Sequence, residues 1–287
     1  MINKLTIIGV GLMGSSLALA LKQANYVGQI TGCGRNEKNL QRGVELGVLD
    51  NYELDPAAAV CNADMVLLAV PMGAMRQVLL AIKDSLQQDT IITDVGSTKG
   101  SVVEDAEIVL QKNISRFVPG HPIAGAEKSG VEAGYASLYQ KRKVILTPTE
   151  TTSRAACKAV ENMWHQCGAA VEYLSVEHHD MVLAATSHLP HMLAYSLVSF
   201  LGNNQDYDEI FRYAASGFRD FTRIASSDPV MWRDICIANS QALSGLIEQY
   251  RDELGRVAEA ISNQDGEQLM NIFRDAKDKR DKLTGLI

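Results

Sequence analysis

The sequence predicts an α/β fold: a doubly wound, Rossmann-type parallel-sheet domain followed by an all-α domain. Three observations predict it. Short β-rich apolar runs alternate with amphipathic stretches through the first part of the chain. A glycine turn, Gly9-Val10-Gly11-Leu12-Met13-Gly14, sits between the first such run and the first helical stretch. Past Val171-Glu172-Tyr173 the β-rich runs stop.

Taken in order, Leu5-Thr6-Ile7-Ile8 reads as a buried strand, residues 12–21 as a helix and residues 29–33 as a second strand. Met65-Val66-Leu67-Leu68-Ala69-Val70 is a strand closed by Pro71, and Thr90-Ile91-Ile92-Thr93-Asp94-Val95 is another. Arg116-Phe117-Val118 and Val144-Ile145-Leu146 follow. Continuous apolar runs separated by helical segments imply parallel strands covered on both faces. From about Val176 the pattern is helical, over 181–185, 192–201, 235–250, 254–261 and 267–280. The expected domains are therefore 1–174, carrying the parallel sheet, and 175–287, all helical, with the active site between them.

The 287 residues suit two domains of roughly 150 residues each. With 46% hydrophobic and 21% charged residues, the composition supports ordinary cores and gives no case for disorder. Lys plus Arg number 27 against 34 Asp plus Glu, a net charge of −7 that argues against a general nucleic-acid partner. Five scattered cysteines without a CxxC pair fit a reducing cytoplasm better than a disulfide framework. The amino terminus lacks the pattern of a signal peptide, and no uncharged apolar run approaches the roughly 20 residues that span a bilayer. The expectation is a soluble, cytoplasmic protein.

In the glycine turn, Gly9 permits the tight turn, Gly11 lets a pyrophosphate approach the backbone, and Gly14 lets the helix pack on the strand. Leu12, Met13 and Val70 complete the candidate cofactor set around this turn. The end of the second strand chooses the cofactor. An NAD-preferring site carries an acidic residue there, about 20 positions on, to bind the ribose 2′-hydroxyl. Here the run is Thr31-Gly32-Cys33-Gly34-Arg35-Asn36: Gly34 stands at the acid's place and Arg35 follows. A guanidinium grips a 2′-phosphate that a carboxylate would repel. NADP is therefore the expected cofactor, with NAD an open alternative.

Four later segments are rich in chemically active types: DVGSTK at 94–99, HPIAGAEKSG at 121–130, SHLPH at 187–191, and GFRDFTRIASSDPVMWRD at 217–234. Histidine, hydroxyl and arginine suit oxidation of an alcohol while a carboxylate is held. From pattern alone, a histidine placed like His121 after a strand is more often a hydrogen-bonded structural residue than a catalytic one. His188 and His191, three apart, mimic metal ligands, but no third ligand stands at a recognised spacing, so no metal is expected. His178-His179-Asp180 reads as a solvated helix start.

With the glycine turn, these segments resemble the prephenate/arogenate dehydrogenase family, the oxidoreductases of tyrosine biosynthesis. The HPIAGAEKSG and FTRIASSDPVMWRD runs carry the resemblance most specifically, and it spans the chain from Lys4 to about Lys279. It leaves no room at either end for the chorismate mutase or regulatory domain fused to some relatives, which implies the minimal dehydrogenase. It further implies that His121 takes the ring-hydroxyl proton as hydride leaves, and that Ser97 stands beside that histidine and the nicotinamide. His191 matches a substrate-site histidine, and Arg223 the arginine that binds a substrate carboxylate. Glu127 and Asp220 match acidic residues around the pocket, and Trp232 a tryptophan near the substrate, although core or interface packing explains Trp232 as well. Ala126 stands where some relatives carry threonine. The implied substrates are prephenate or arogenate, and the implied assembly is a homodimer through the helical domain. Leu243, Leu246, Ile247 and Tyr250, at helical spacing, fit either that interface or packing within one chain.

Two other functions fit parts of this pattern. A β-hydroxyacid dehydrogenase also pairs an early GxGxMG turn with a helical domain, but uses a catalytic lysine and has no HPIAGAEKSG run. A non-catalytic NADP-sensing regulator would bind cofactor without turning over any cyclohexadienyl substrate.

Overall fold

The computed structural model describes residues 1–126, 128–203 and 207–283. Six parallel strands form the first sheet: β1 (Ile2–Ile8), β2 (Val27–Cys33), β3 (Asn51–Glu53), β4 (Met65–Leu68), β5 (Ile91–Asp94) and β6 (Phe117–Val118). Their order is β3-β2-β1-β4-β5-β6, the doubly wound arrangement. The helices α1 (Leu12–Gln23), α2 (Glu37–Glu45), α3 (Pro56–Ala59), α4 (Met75–Ile82) and α5 (Gly100–Leu110) make the crossovers.

β4 is buried along its whole length because both faces are covered, and the core divides accordingly. Leu5, Ile7, Leu17 and Leu21 pack on one face with Trp164 and Tyr139. Ile8, Val66, Leu68, Leu79 and Val102 pack on the other. β3 is short and polar, so it carried no apolar signal in the sequence. Its place at the sheet edge, beside β2 alone, lets it stay so.

Not every expected strand joins this sheet. Pro119, which has no N–H, ends β6, and β7 (Gly120–Pro122) turns away to pair antiparallel with β8 (Lys143–Leu146). β8 then pairs parallel with β9 (Ala170–Tyr173), making a separate three-stranded sheet. His121 thus stands on a strand of this second sheet. The helix α6 (Arg154–Gln166), capped by Ser153, precedes β9 and sends Trp164 into the first core.

Strands give way to helices between Tyr173 and Val176: α7 (Val176–Leu183), α8 (Leu189–Gly202), α9 (Tyr207–Arg212), α10 (Ser216–Thr222), α11 (Pro229–Ala238), α12 (Ser240–Ser262) and α13 (Gly266–Leu283). A π turn over Ala184–His188 joins α7 to α8, where Pro190 cannot donate the next helical hydrogen bond. The single helix expected over 235–250 is two: Asn239, with its amide turned inward to Asp180 and His188, separates α11 from α12. α12 then runs unbroken to Ser262, through the gap expected near residue 252.

By compactness the chain divides at Ser240, later than the strand-to-helix change, into Met1–Ser240 and Gln241–Ile287. Side chains on α7 and α11 bond into the sheet region and so draw those helices into the first unit. The second unit holds most of α12 and all of α13, with Asp265 capping α13. Leu254, Ile261, Met270 and Phe273 are exposed on it in the single chain. No described helix is long and apolar enough to cross a membrane.

Candidate active site

The dinucleotide cradle is built where β1 and β4 end side by side. Gly9 has φ +99°, and a Cβ there would stand 2.2 Å from the Ala69 carbonyl oxygen at the end of β4. Only glycine makes that turn. A Cβ on Gly14 would press against Gly9 O at 2.5 Å and Ile7 at 2.7 Å, so α1 lies directly on β1. Gly11 differs: no described residue lies within 4 Å of its Cβ position, so the backbone faces open space among the described residues. No side chain caps α1 and no acid stands in its first turn, which leaves its amides for an anionic ligand.

The cradle is held from behind. Asn39 on α2 donates to Val10 O and accepts from Val131 N, and the Tyr139 hydroxyl donates to Met13 O. Leu12, Met13 and Val70 are half-buried around it. Arg35 lies exposed just past β2, with Gly34 at the acid's place. These residues fit a pyridine dinucleotide.

Beside the cradle, two buried carboxylates organise the reacting centre. Asp94, at the end of β5, accepts from Gly96 N at 2.8 Å, Gly120 N at 3.0 Å and the Lys99 ammonium. Lys99 also donates to Gly120 O at 2.7 Å. One ion pair therefore fastens the loop that bears Ser97 to the residue before His121. Burial pulls the Lys99 ammonium below its usual range, with Asp94 opposing.

The second carboxylate is Asp180. Its Oδ1 accepts from Lys99 N and its Oδ2 from Gly100 N, both at 2.8 Å, and its Oδ1 lies 2.8 Å from His179 Nδ1. His179 Nε2 in turn lies 2.9 Å from His121 Nδ1. Burial alone would raise Asp180, but the hydrogen bonds from His179, Lys99 N and Gly100 N outweigh it and hold the carboxyl below the usual range. Burial, then the charges of His179, Lys99 and His188, hold His121 well below 6.5, so its ring is neutral at ordinary pH.

The helical segments supply a second set. His191, in the first turn of α8, stacks on Trp232 at 3.7 Å between ring centroids and 22° between planes. His188 meets the same indole edge-on. Asp228 caps α11 and Pro229 opens it, which places Trp232 one turn inside. Its Nε1 is buried without a hydrogen-bond partner among the described residues. His191 Nδ1 lies 2.9 Å from Ser187 O, so Nδ1 carries the proton and Nε2 is left as an acceptor. Burial lowers His191, and the charge of Arg223 lowers it further. Arg223 opens a 3₁₀ turn after α10 and is exposed.

A family profile described as "Prephenate dehydrogenase, nucleotide-binding domain" matches residues 17–173, and one described as "Prephenate dehydrogenase, dimerization domain" matches residues 175–275. The chain belongs to the prephenate dehydrogenase family. Among curated proteins of this kind, the cyclohexadienyl dehydrogenase of Zymomonas mobilis is 39% identical over 96% of this chain and 94% of its own length. The prephenate dehydrogenase of Bacillus subtilis is 36% identical over 98% and 76%. Among solved structures, the prephenate dehydrogenase of Aquifex aeolicus with hydroxyphenyl propionate and NAD+ superposes with a TM-score of 0.91 at 38% identity, covering 99% of both chains.

Of the residues singled out from the sequence of this prephenate dehydrogenase family member, His191 and Trp232 stack together with His188 edge-on to the same indole, and the charge of His188 acts on His121. Ser97 is half-buried in the loop that Asp94 and Lys99 brace. Asp220 lies exposed on α10. Glu127 lies outside the described residues. One expectation is corrected: His179 and Asp180 are not a solvated helix start. Ser175 caps α7 there, but His179 is 0% and Asp180 9% exposed, turned toward His121 and α5. The missed signal was the pairing of an acid with an adjacent histidine, which has a role only once a second imidazole stands against it.

Proposed function

We propose that this chain catalyses the oxidative decarboxylation of prephenate, of arogenate, or of both, with a nicotinamide dinucleotide as oxidant, in tyrosine biosynthesis. The observation that carries the reading is a half-buried imidazole at His121, held well below 6.5 and bonded to His179, in a chain of this family that also carries a dinucleotide cradle. Gly9, Gly11, Leu12, Met13, Gly14, Val70 and Ser97 hold the cofactor, which supplies the acceptor for the substrate's hydride.

The chain's own residues do the rest. His121 accepts the proton of the ring hydroxyl as the C–H bond at the same carbon gives up its hydride; general-base help of this kind is worth about 10²–10⁴-fold. Ser97 hydrogen-bonds the same hydroxyl. The resulting dienone is an electron sink, carbon dioxide leaves, and the ring becomes aromatic. Arg223 holds a substrate carboxylate, His191 and Trp232 form the wall beside it, and Glu127 and Asp220 order the rim. Fixing the reacting carbon in this way supplies several kcal/mol of barrier reduction.

NADP is the preferred cofactor in this reading, because Gly34 and Arg35 stand where NAD-preferring sites carry an acid. Residues 1–174 bind the cofactor, and residues 175–287 complete the substrate site and form a homodimer, for which the exposed Leu254, Ile261, Met270 and Phe273 provide apolar surface. Five free thiols favour a reducing cytoplasm.

An assay grid of two substrates by two cofactors tests the reading. Turnover of prephenate or arogenate, faster with NADP than with NAD, is expected, and Arg35→Ala should erase the NADP advantage. Turnover of 3-hydroxy acids alone, or cofactor binding without any turnover, would contradict the assignment.

A further inference from the structure

We propose that His179 and Asp180 are positioning residues that hold His121 in the tautomer able to act as a base and that stabilise the charge it acquires. The proposal deepens the reading of His121 given above and rests on it.

The hydrogen-bond chain fixes the protons. Asp180 already accepts from two backbone amides, Lys99 N and Gly100 N, and an ionised carboxylate has only acceptors to offer. His179 Nδ1, 2.8 Å from Asp180 Oδ1, must therefore carry a proton. For His121 Nε2 to act as the base, its Nδ1 must carry the ring's proton, and His179 Nε2, 2.9 Å away, is placed to accept that hydrogen bond. That leaves His121 Nε2 unprotonated, the state a general base requires. When Nε2 takes the substrate proton, the positive charge on His121 spreads through His179 toward Asp180. A buried carboxylate acts through an imidazole in the same way in the serine-protease triad, where its replacement by an amide costs about 10⁴ in kcat.

The surroundings favour this assignment. His179 is fully buried, Asn239 donates to the Asp180 carbonyl oxygen at 2.8 Å, and the first turn of α5 grips the carboxylate, so neither residue turns to solvent. Asn239 also lies 3.2 Å from His188 Nδ1, which assigns that ring's proton to Nε2 and keeps it from competing for Asp180. The charged and titratable groups facing the two rings are Asp180 on α7, Lys99 before α5 and His188 on the π turn.

Two measurements test the proposal. In the intact wild-type protein with ¹⁵N-labelled histidine, NMR at neutral pH should find the protons of His121 and His179 on Nδ1; His121 protonated on Nε2 would overturn it. The second is Asp180→Asn, which keeps the shape and removes the charge. Its kcat should fall about 10²–10⁴-fold while substrate KM and cofactor affinity hold. The acid limb of its kcat/KM profile should move to lower pH, because losing the anion weakens the two-ring base. Wild-type kcat with an unmoved limb would overturn the proposal. If Asp180→Asn does not fold, the wild-type spectrum decides alone. Absence of turnover by the wild type on either substrate would instead strike the proposed function, leaving the tautomer measurement to stand.

Discussion

The Lys99 ammonium, fully buried, lies 2.5 Å from Asp94 Oδ2 and donates also to the Gly120 carbonyl. The pair thereby joins three pieces of backbone: the end of β5, the start of α5 and the strand of His121. Breaking a buried pair by removing one partner leaves an uncompensated charge and costs about 3–5 kcal/mol. Lys99→Met should lower the midpoint of thermal unfolding by roughly 10 °C. The double variant Asp94→Asn/Lys99→Met should recover part of that loss, since it buries no lone charge. Calorimetry of the three proteins checks this; equal midpoints for wild type and Lys99→Met would contradict the role given to the pair.

His188 leads to a prediction about pH and stability. Burial drives it down to about 4, against 6.5 when unfolded. A histidine of depressed pKa takes its proton more readily in the unfolded chain. Its stabilising contribution is therefore whole above about pH 6.5 and is lost as pH falls toward about 4, by up to about 1.4 kcal/mol per pH unit. Unfolding midpoints should drop across this window, and His188→Gln should flatten the slope. A slope unchanged in His188→Gln would show that other groups govern acid sensitivity.

Arg223 should be read out in KM. Loss of a charge-assisted bond to a substrate carboxylate is worth about 1.5–3 kcal/mol, roughly 10–150-fold. Arg223→Ala should raise substrate KM by that factor while cofactor affinity holds, as steady-state kinetics and fluorescence titration measure. An unchanged KM removes Arg223 from the carboxylate site.

What the sequence made legible was local. Gly9-Val10-Gly11-Leu12-Met13-Gly14 announces itself because turn, phosphate approach and helix packing are all demanded within six residues. The buried runs of β1, β4 and β5 were equally plain, their apolar continuity reflecting cover on both faces. β3 was not, because an edge strand of Asn51–Glu53 needs no apolar pattern. The departure of β7 and β8 from the parallel sheet depends on Pro119 and on partners in later strands. His179 stands 58 residues from His121, and only the folded chain shows that the two rings meet. A polar dyad at a helix start reads as solvated until burial supplies its partners. Asn239 was obscured likewise, being a helix break that exists to reach Asp180 and His188.

His121 is the residue on which the account turns, and His121→Asn tests it most directly. The variant keeps a polar side chain of modest size but removes the imidazole base. Measured with prephenate and NADP, kcat should fall by about 10²–10⁴-fold while cofactor affinity by fluorescence titration stays at the wild-type value. A kcat near wild type, with the cofactor still bound, would contradict the claim that this imidazole takes the ring-hydroxyl proton.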